Sequence, residues 1–306
     1  MNELDFYQTN NEIWKILHDG QPANILRIDN TMGYVFDSYN KGIEPVDNFF
    51  NPNTFIEGGV YPIDKKWYQD NVIPPVEESM RNSDILGFVD MSGDIRNGDY
   101  LNKYQEFQTK KVFGGDSFLI MDPGAILGHS SQFGMLKNPW TSKLKNKKVL
   151  VVSTHTESIK HQWKNIDKIW GDNRKHIAPF ELVDCIRSPY HPMMDDRQPP
   201  NCIDWLQSVD YIKKQIDNYD YDVLLAGCTV SSPLYTDHAK KRGKVGIQTG
   251  GTIQLFFGIL GYRWTKVPGY NSWHNMYNEH WMYPLEEDHS QGKNKLQHLE
   301  ANFAYW

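Results

Sequence analysis

Apolar and polar positions follow two different rules on either side of residues 137–147. Beyond that point, short unbroken apolar runs alternate with stretches whose apolar residues recur every three or four positions. The runs 148–153 (Lys-Val-Leu-Val-Val-Ser), 180–186, 222–226 (Asp-Val-Leu-Leu-Ala) and 244–248 predict strands. A run without alternation implies burial on both faces, as in a parallel sheet. Residues 156–170 carry Ile159, Trp163, Ile166, Ile169 and Trp170 at helical spacing, and 204–218 carry Trp205, Val209, Ile212 and Ile216. Helices are also predicted over 232–242, closed by Gly243, and over 252–260, opened by Gly250-Gly251. A strand–helix unit repeated four times predicts right-handed crossovers. The expected fold is therefore α/β: a Rossmann-like, mostly parallel sheet flanked by helices.

Residues 1–138 are less regular and predict a loop-rich α/β part that completes the site, with 139–306 as the nucleotide-binding part or both as one integrated domain. A helix is expected over 11–18 and a strand over 23–28. Helices over 76–82 and 100–109 flank a strand over 85–89. Between them, Glu44-Pro45, Asn51-Pro52-Asn53, Gly58-Gly59 and Pro74-Pro75 are turn signals.

The 306 residues are enough for one large domain or two ordinary ones. The net charge of -6 excludes a sequence-wide basic surface, so nucleic acid is not an expected partner. Three cysteines (Cys185, Cys202, Cys228) form no CxxC pair and fit a reducing compartment. Cys228, just after an apolar strand, reads as a buried inert thiol. The start Met1-Asn2-Glu3-Leu4-Asp5 has no secretory pattern, and 253–262 is too short to span a bilayer. The expected location is the cytoplasm, or the host cytoplasm for a viral protein. The 10 Trp, 17 Tyr and 14 Phe suit stacking on sugar rings or bases, but each ring is first a core residue. Oligomeric state is open, with a homo-oligomer compatible.

In such a sheet, ligands sit at the carboxyl ends of the strands. Those ends read Ser153-Thr154-His155-Thr156-Glu157, Gly227-Cys228-Thr229-Val230-Ser231-Ser232 and Thr249-Gly250-Gly251-Thr252. Small and hydroxylated residues at a helix start suit a phosphate, and they are also ordinary helix caps. Ser153, Thr156, Gly227, Ser231, Gly250, Gly251 and Gln254 are the candidate binding residues. Arg27 joins them, because its planar fork matches a diphosphate. Asp29, Asp90 and His155 are the candidate catalytic bases, and Asp29 is the candidate metal ligand, for Mn2+ or Mg2+. Asp94 and the Asp195-Asp196 pair sit in turns where carboxylates are ordinarily solvated, and 191–197 reads as a lid. The 11 histidines show no zinc spacing.

From Pro139 onward the chain resembles a family of bacterial and viral polysaccharide loci related to GT-D-type glycosyltransferases. Pro139-Trp140 followed by Leu144-Lys145-Asn146-Lys147-Lys148-Val149-Leu150-Val151-Val152-Ser153 is similar to that family's "PW…LKGKKVLVVSPF". The run Gly250-Gly251-Thr252-Ile253-Gln254-Leu255-Phe256-Phe257-Gly258-Ile259, then Gly261-Tyr262-Arg263-Trp264, resembles "GGATQLLFGIKGKRW". Glu300 and Tyr305-Trp306 resemble its closing "VE…YW". The chain departs from the family at Asp29-Asn30-Thr31-Met32, where Gly and an acidic residue are usual, and at 227–232, where the usual loop is Gly-Tyr-Gly-rich. The resemblance implies a nucleotide-sugar donor as co-substrate and a glycan or lipid-linked (glycolipid) acceptor. A catalytically inactive nucleotide- or sugar-binding protein of surface-glycan assembly is the alternative. A nicotinamide dehydrogenase is disfavoured, since no GxGxxG follows the 148–153 strand.

Overall fold

A computed structural model of the chain describes residues 2–4, 6–28, 59–62, 64–88, 117–120, 129–130, 134–135, 138–177, 179–188, 198–266 and 276–289. The first half supplies β1 (Asn2–Leu4), α1 (Phe6–Asp19), β2 (Ala23–Ile28), α2 (Lys65–Asn71), α3 (Ile73–Arg81), β3 (Ile85–Phe88) and β4 (Ser117–Ile120). A small antiparallel pair, β5 (His129–Ser130) and β6 (Gly134–Met135), stands apart from the main sheet. The second half supplies β7 (Lys148–Ser153), α4 (Thr156–Trp163), α5 (Ile166–Trp170), β8 (Glu181–Arg187), α6 (Trp205–Ile216), β9 (Val223–Gly227), α7 (Ser232–Lys241), β10 (Val245–Gln248), α8 (Thr252–Phe256) and α9 (Tyr262–Lys266).

Among the described residues, eight strands make one sheet in the order β1-β4-β3-β2-β10-β9-β7-β8. Every pairing in it is parallel. The chain is thus an α/β protein, and both of its halves contribute to a single sheet through the β2–β10 pairing.

The unbroken apolar runs are explained by burial on both faces. On β7, Val149 and Val151 pack with Ile13, Leu17, Ile159 and Phe256, and Leu150 and Val152 pack on the opposite side with Val76, Met80, Ile212 and Leu234. Each such side chain, taken fully out of water, contributes about 1.5–3 kcal/mol. The faces alternate with the direction of chain travel, because a parallel crossover is right-handed. The chain moves outward from β7 to β8 through α4 and α5 on one face. It moves inward from β9 to β10 through α7 on the other, and leaves β10 through α8 on the first. Adjacent strands therefore send their helices to opposite sides, which opens a crevice at their carboxyl ends.

Several elements differ from the pattern reading. The predicted helix over 156–170 is two helices, because the chain turns at Lys164-Asn165, where Asn165 N–H donates to the Gln162 carbonyl at 2.8 Å. Pro74-Pro75 does not mark a turn but lies in the first turn of α3. A proline there gives up an N–H that the helix does not use. α1 begins at Phe6, ahead of its apolar stripe, and α8 stops at Phe256 before Gly258, which sits at φ +68°. β1, α2 and β4 are additional. The helix expected over 100–109 lies outside the described residues. Among the described residues, no helix is long and apolar enough to cross a membrane.

One close approach holds α7 against the sheet. A Cβ added at Gly246 would overlap the Thr236 backbone and stand 2.7 Å from the Thr236 Cβ. Gly246→Ala is expected to lower the unfolding free energy by about 1–3 kcal/mol through overpacking, read from the midpoint of urea unfolding. An unchanged midpoint would mean that α7 lifts from β10 without cost.

Candidate functional site

The carboxyl ends of β2, β10, β9 and β7 lie side by side, and each is tied to its neighbour by side-chain hydrogen bonds. Gln248 Oε1 accepts from the Arg27 backbone N–H at 3.1 Å, joining β10 to β2. Thr249 donates from both its N–H (2.8 Å) and its hydroxyl (3.0 Å) to the Ala226 carbonyl, joining β10 to β9. The Cys228 thiol donates to the Val152 carbonyl at 3.0 Å, joining β9 to β7. Burial pushes that thiol up to about 12, so Cys228 is an inert structural group, as its position after a buried strand suggests.

Two glycines let these ends meet. Gly250 adopts φ +55°, and a Cβ on it would lie 2.5 Å from Arg27 Nη1. A Cβ on Gly227 would lie 2.6 Å from Ile253 Cγ2 and 2.9 Å from the Gly250 carbonyl oxygen. The Arg27 guanidinium therefore rests directly on the Gly250 backbone. Arg27, Gly227, Gly250 and Gly251 are all partly exposed, and they form the candidate-lined part of the crevice open to solvent.

The other binding candidates are buried and engaged in the fold. Ser153 is fully buried, and its hydroxyl accepts from the His155 N–H at 3.3 Å. The Ser231 hydroxyl accepts from the Trp205 indole at 2.8 Å. Thr156, 2% exposed, donates to Glu157 Oε1 at 3.3 Å. The start of α4, expected to receive a phosphate, already holds a carboxylate of the chain itself. Asp288 accepts from the N–H groups of Glu157 (3.0 Å) and Ser158 (2.7 Å) and from Arg187 Nη2 (3.0 Å). Its side chain is 0% exposed, so it supplies the negative charge that this helix end attracts.

His155 and Gln254 belong to one buried relay. The Trp264 indole N–H, which can only donate, meets Gln254 Oε1 at 2.9 Å. That fixes the amide, so Gln254 Nε2 donates to His155 Nε2 at 3.3 Å. The remaining ring hydrogen then sits on Nδ1, 3.0 Å from the Thr154 hydroxyl. With both ring nitrogens engaged and 4% exposure, His155 holds the end of β7 to α8 and α9 and does not stand free as a base. Of the other two candidate bases, Asp29 and Asp90 both lie outside the described residues, as do Asp94, the Asp195-Asp196 pair, the lid candidate 191–197 and Glu300. No group of three or more His, Cys, Asp or Glu suited to a metal occurs among the described residues. The pattern reading missed Asp288, Arg187 and Gln248, and noted Trp264 only within the 250–264 likeness. Of the three, only Arg187 carried a signal, as a charged residue closing a strand.

Arg27 and the two glycines thus lie at the strand ends of a parallel α/β protein. No protein-family model matches the chain, and no curated protein matches it. Among solved structures it is similar to one described as "The highly conserved domain of unknown function 1792 has a distinct glycosyltransferase fold", at 11% identity and a TM-score of 0.44, over 90% of this chain and 82% of that one.

Removing the Asp288 carboxylate strands two N–H groups and a guanidinium together. Asp288→Ala is expected to cost about 3–5 kcal/mol of stability, the scale for breaking a buried pair, in urea unfolding followed by circular dichroism. A loss under about 1 kcal/mol would place Asp288 with ordinary surface caps.

Proposed function

We propose that the chain is a glycosyltransferase that moves a sugar from a nucleotide-sugar donor to a glycan or lipid-linked acceptor. The observation that carries this reading is the Arg27 guanidinium lying on the Gly250 backbone at the carboxyl ends of β2 and β10. A diphosphate needs close backbone approach and a fixed positive charge, and this pair supplies both. α8, which follows, is only five residues long, so its dipole adds little and the charge comes from Arg27. The sequence likeness of 250–264 to the polysaccharide-locus family supports the same reading.

In the reaction, an acceptor hydroxyl attacks the anomeric carbon of the donor sugar. The bond from that carbon to the diphosphate oxygen breaks, and the diphosphate leaves with the electron pair. Arg27 stabilises the charge that grows on the departing oxygens. The acceptor proton passes to a base outside the described residues, with Asp29 and Asp90 as the candidates. A divalent cation, if the donor brings one, would be held through Asp29.

A binding protein without turnover is the second reading, and the engagement of both His155 ring nitrogens favours it. Thermal shift with UDP, GDP, CMP and NAD, followed by donor hydrolysis and transfer assays with and without Mn2+, separates the readings. Stabilisation by a nucleoside diphosphate with turnover is expected, and tight binding without turnover selects the second reading. Stabilisation by NAD alone would sink both. Arg27→Gln is expected to weaken diphosphate binding by about ten- to a hundredfold, the loss of one or two charge-assisted hydrogen bonds, in isothermal titration.

A further inference from the structure

One residue just past a central strand sits in a backbone conformation that its type disfavours. Thr229, two residues past the end of β9, has φ +48°. The other described non-glycine residues in this region are Asn146 and Asn201, both of the type that tolerates it. A β-branched residue does not, because its Cβ substituents crowd the backbone there.

The conformation is imposed by the surroundings and not by Thr229. The Cys228 N–H donates to Ser232 Oγ at 2.8 Å, and the Cys228 thiol is held on Val152. The Ser231 N–H donates to the Cys228 carbonyl at 3.1 Å, and the Ser232 N–H to that of Thr229. A glycine would satisfy this turn with no steric cost. The threonine side chain therefore stands here against local preference, and strain of this kind collects where a ligand is handled.

Among the described residues, its hydroxyl differs from those at the neighbouring strand ends. Those of Ser153, Thr154, Thr156, Ser231, Ser232, Thr249 and Thr252 are buried and hydrogen-bonded. The Thr229 hydroxyl makes no hydrogen bond among the described residues, and the residue is partly exposed. The strand it follows lies between two others of the candidate site: Gly227 pairs with Ser153 on β7, and Ala226 with Gln248 on β10.

We infer that Thr229 is a ligand-contacting residue, whose hydroxyl donates a hydrogen bond to a phosphate oxygen of a nucleoside diphosphate resting on Gly250 and Arg27. This rests on the nucleotide reading of the crevice and adds a side chain to it. The test is isothermal titration of UDP, GDP and inorganic pyrophosphate into the full chain, alongside thermal melts, for wild type, Thr229→Gly and Thr229→Ser. Thr229→Gly is expected to melt no lower than wild type and to bind the diphosphate about tenfold more weakly, whereas Thr229→Ser stays within about threefold of wild type. Wild-type binding in Thr229→Gly, or an equal loss in Thr229→Ser, overturns the inference and leaves the nucleotide reading standing. A lower melting temperature for Thr229→Gly also overturns it, because the side chain would then be holding the fold. A wild-type protein that binds none of the three ligands overturns the nucleotide reading and this inference together.

Discussion

Strand β10 is hydrogen-bonded along both edges, to β9 from Val245 to Gln248 and to β2 from Val245 to Ile247. That double pairing is what makes one sheet of the two halves. Without it, Arg27 at the end of β2 and Gly250 past the end of β10 would have no reason to meet. Gln248 extends the tie beyond the backbone ladder, and Asn24 anchors the same β2 segment from the other side. Asn24 is 0% exposed, and its amide donates to the Ser79 carbonyl at 3.0 Å while the Ser79 hydroxyl donates to Pro233 at 2.6 Å. A buried amide must find partners or destabilise the fold, and here Nδ2 finds them while Oδ1 has none among the described residues. This chain of contacts links β2, α3 and α7 where apolar packing alone could slide.

The strands legible in the sequence were those whose neighbours on both faces are apolar. β7, β9 and β10 read directly from Val149–Val152, Val223–Ala226 and Val245–Ile247, because both of their surfaces are buried. β1 is only three residues long, too short for a period to emerge. α2 has a mostly polar sequence, and its start is set by Asp64, which accepts the Trp67 N–H at 2.6 Å. Strand order was not legible at all. Nothing in residues 23–28 says that their partner is 245–248, since that choice is made by how the helices distribute over two faces.

The candidate site divides along a similar line. The strand ends were legible because a fold rule names them, and Arg27 because its chemistry fits what they would bind. Which hydroxyls are free was not legible. Ser153, Thr156 and Ser231 have the same composition as a phosphate site and are instead buried partners of His155, Glu157 and Trp205. His155 shows the limit most clearly. A histidine at a strand end reads as a base until Trp264, 109 residues on, fixes Gln254 and through it the ring tautomer.

The β2–β10 pairing also sets a timetable for synthesis. Residue 23 leaves the ribosome 222 residues before its partner 245. At ordinary rates of about 5–20 residues per second, that edge of β2 waits roughly 10–45 s for its partner. During that interval the nascent chain carries an open parallel edge beside finished local structure. The central joint of the mature sheet is thus the last to close, and the most dependent on whatever shields an unpaired strand while translation continues.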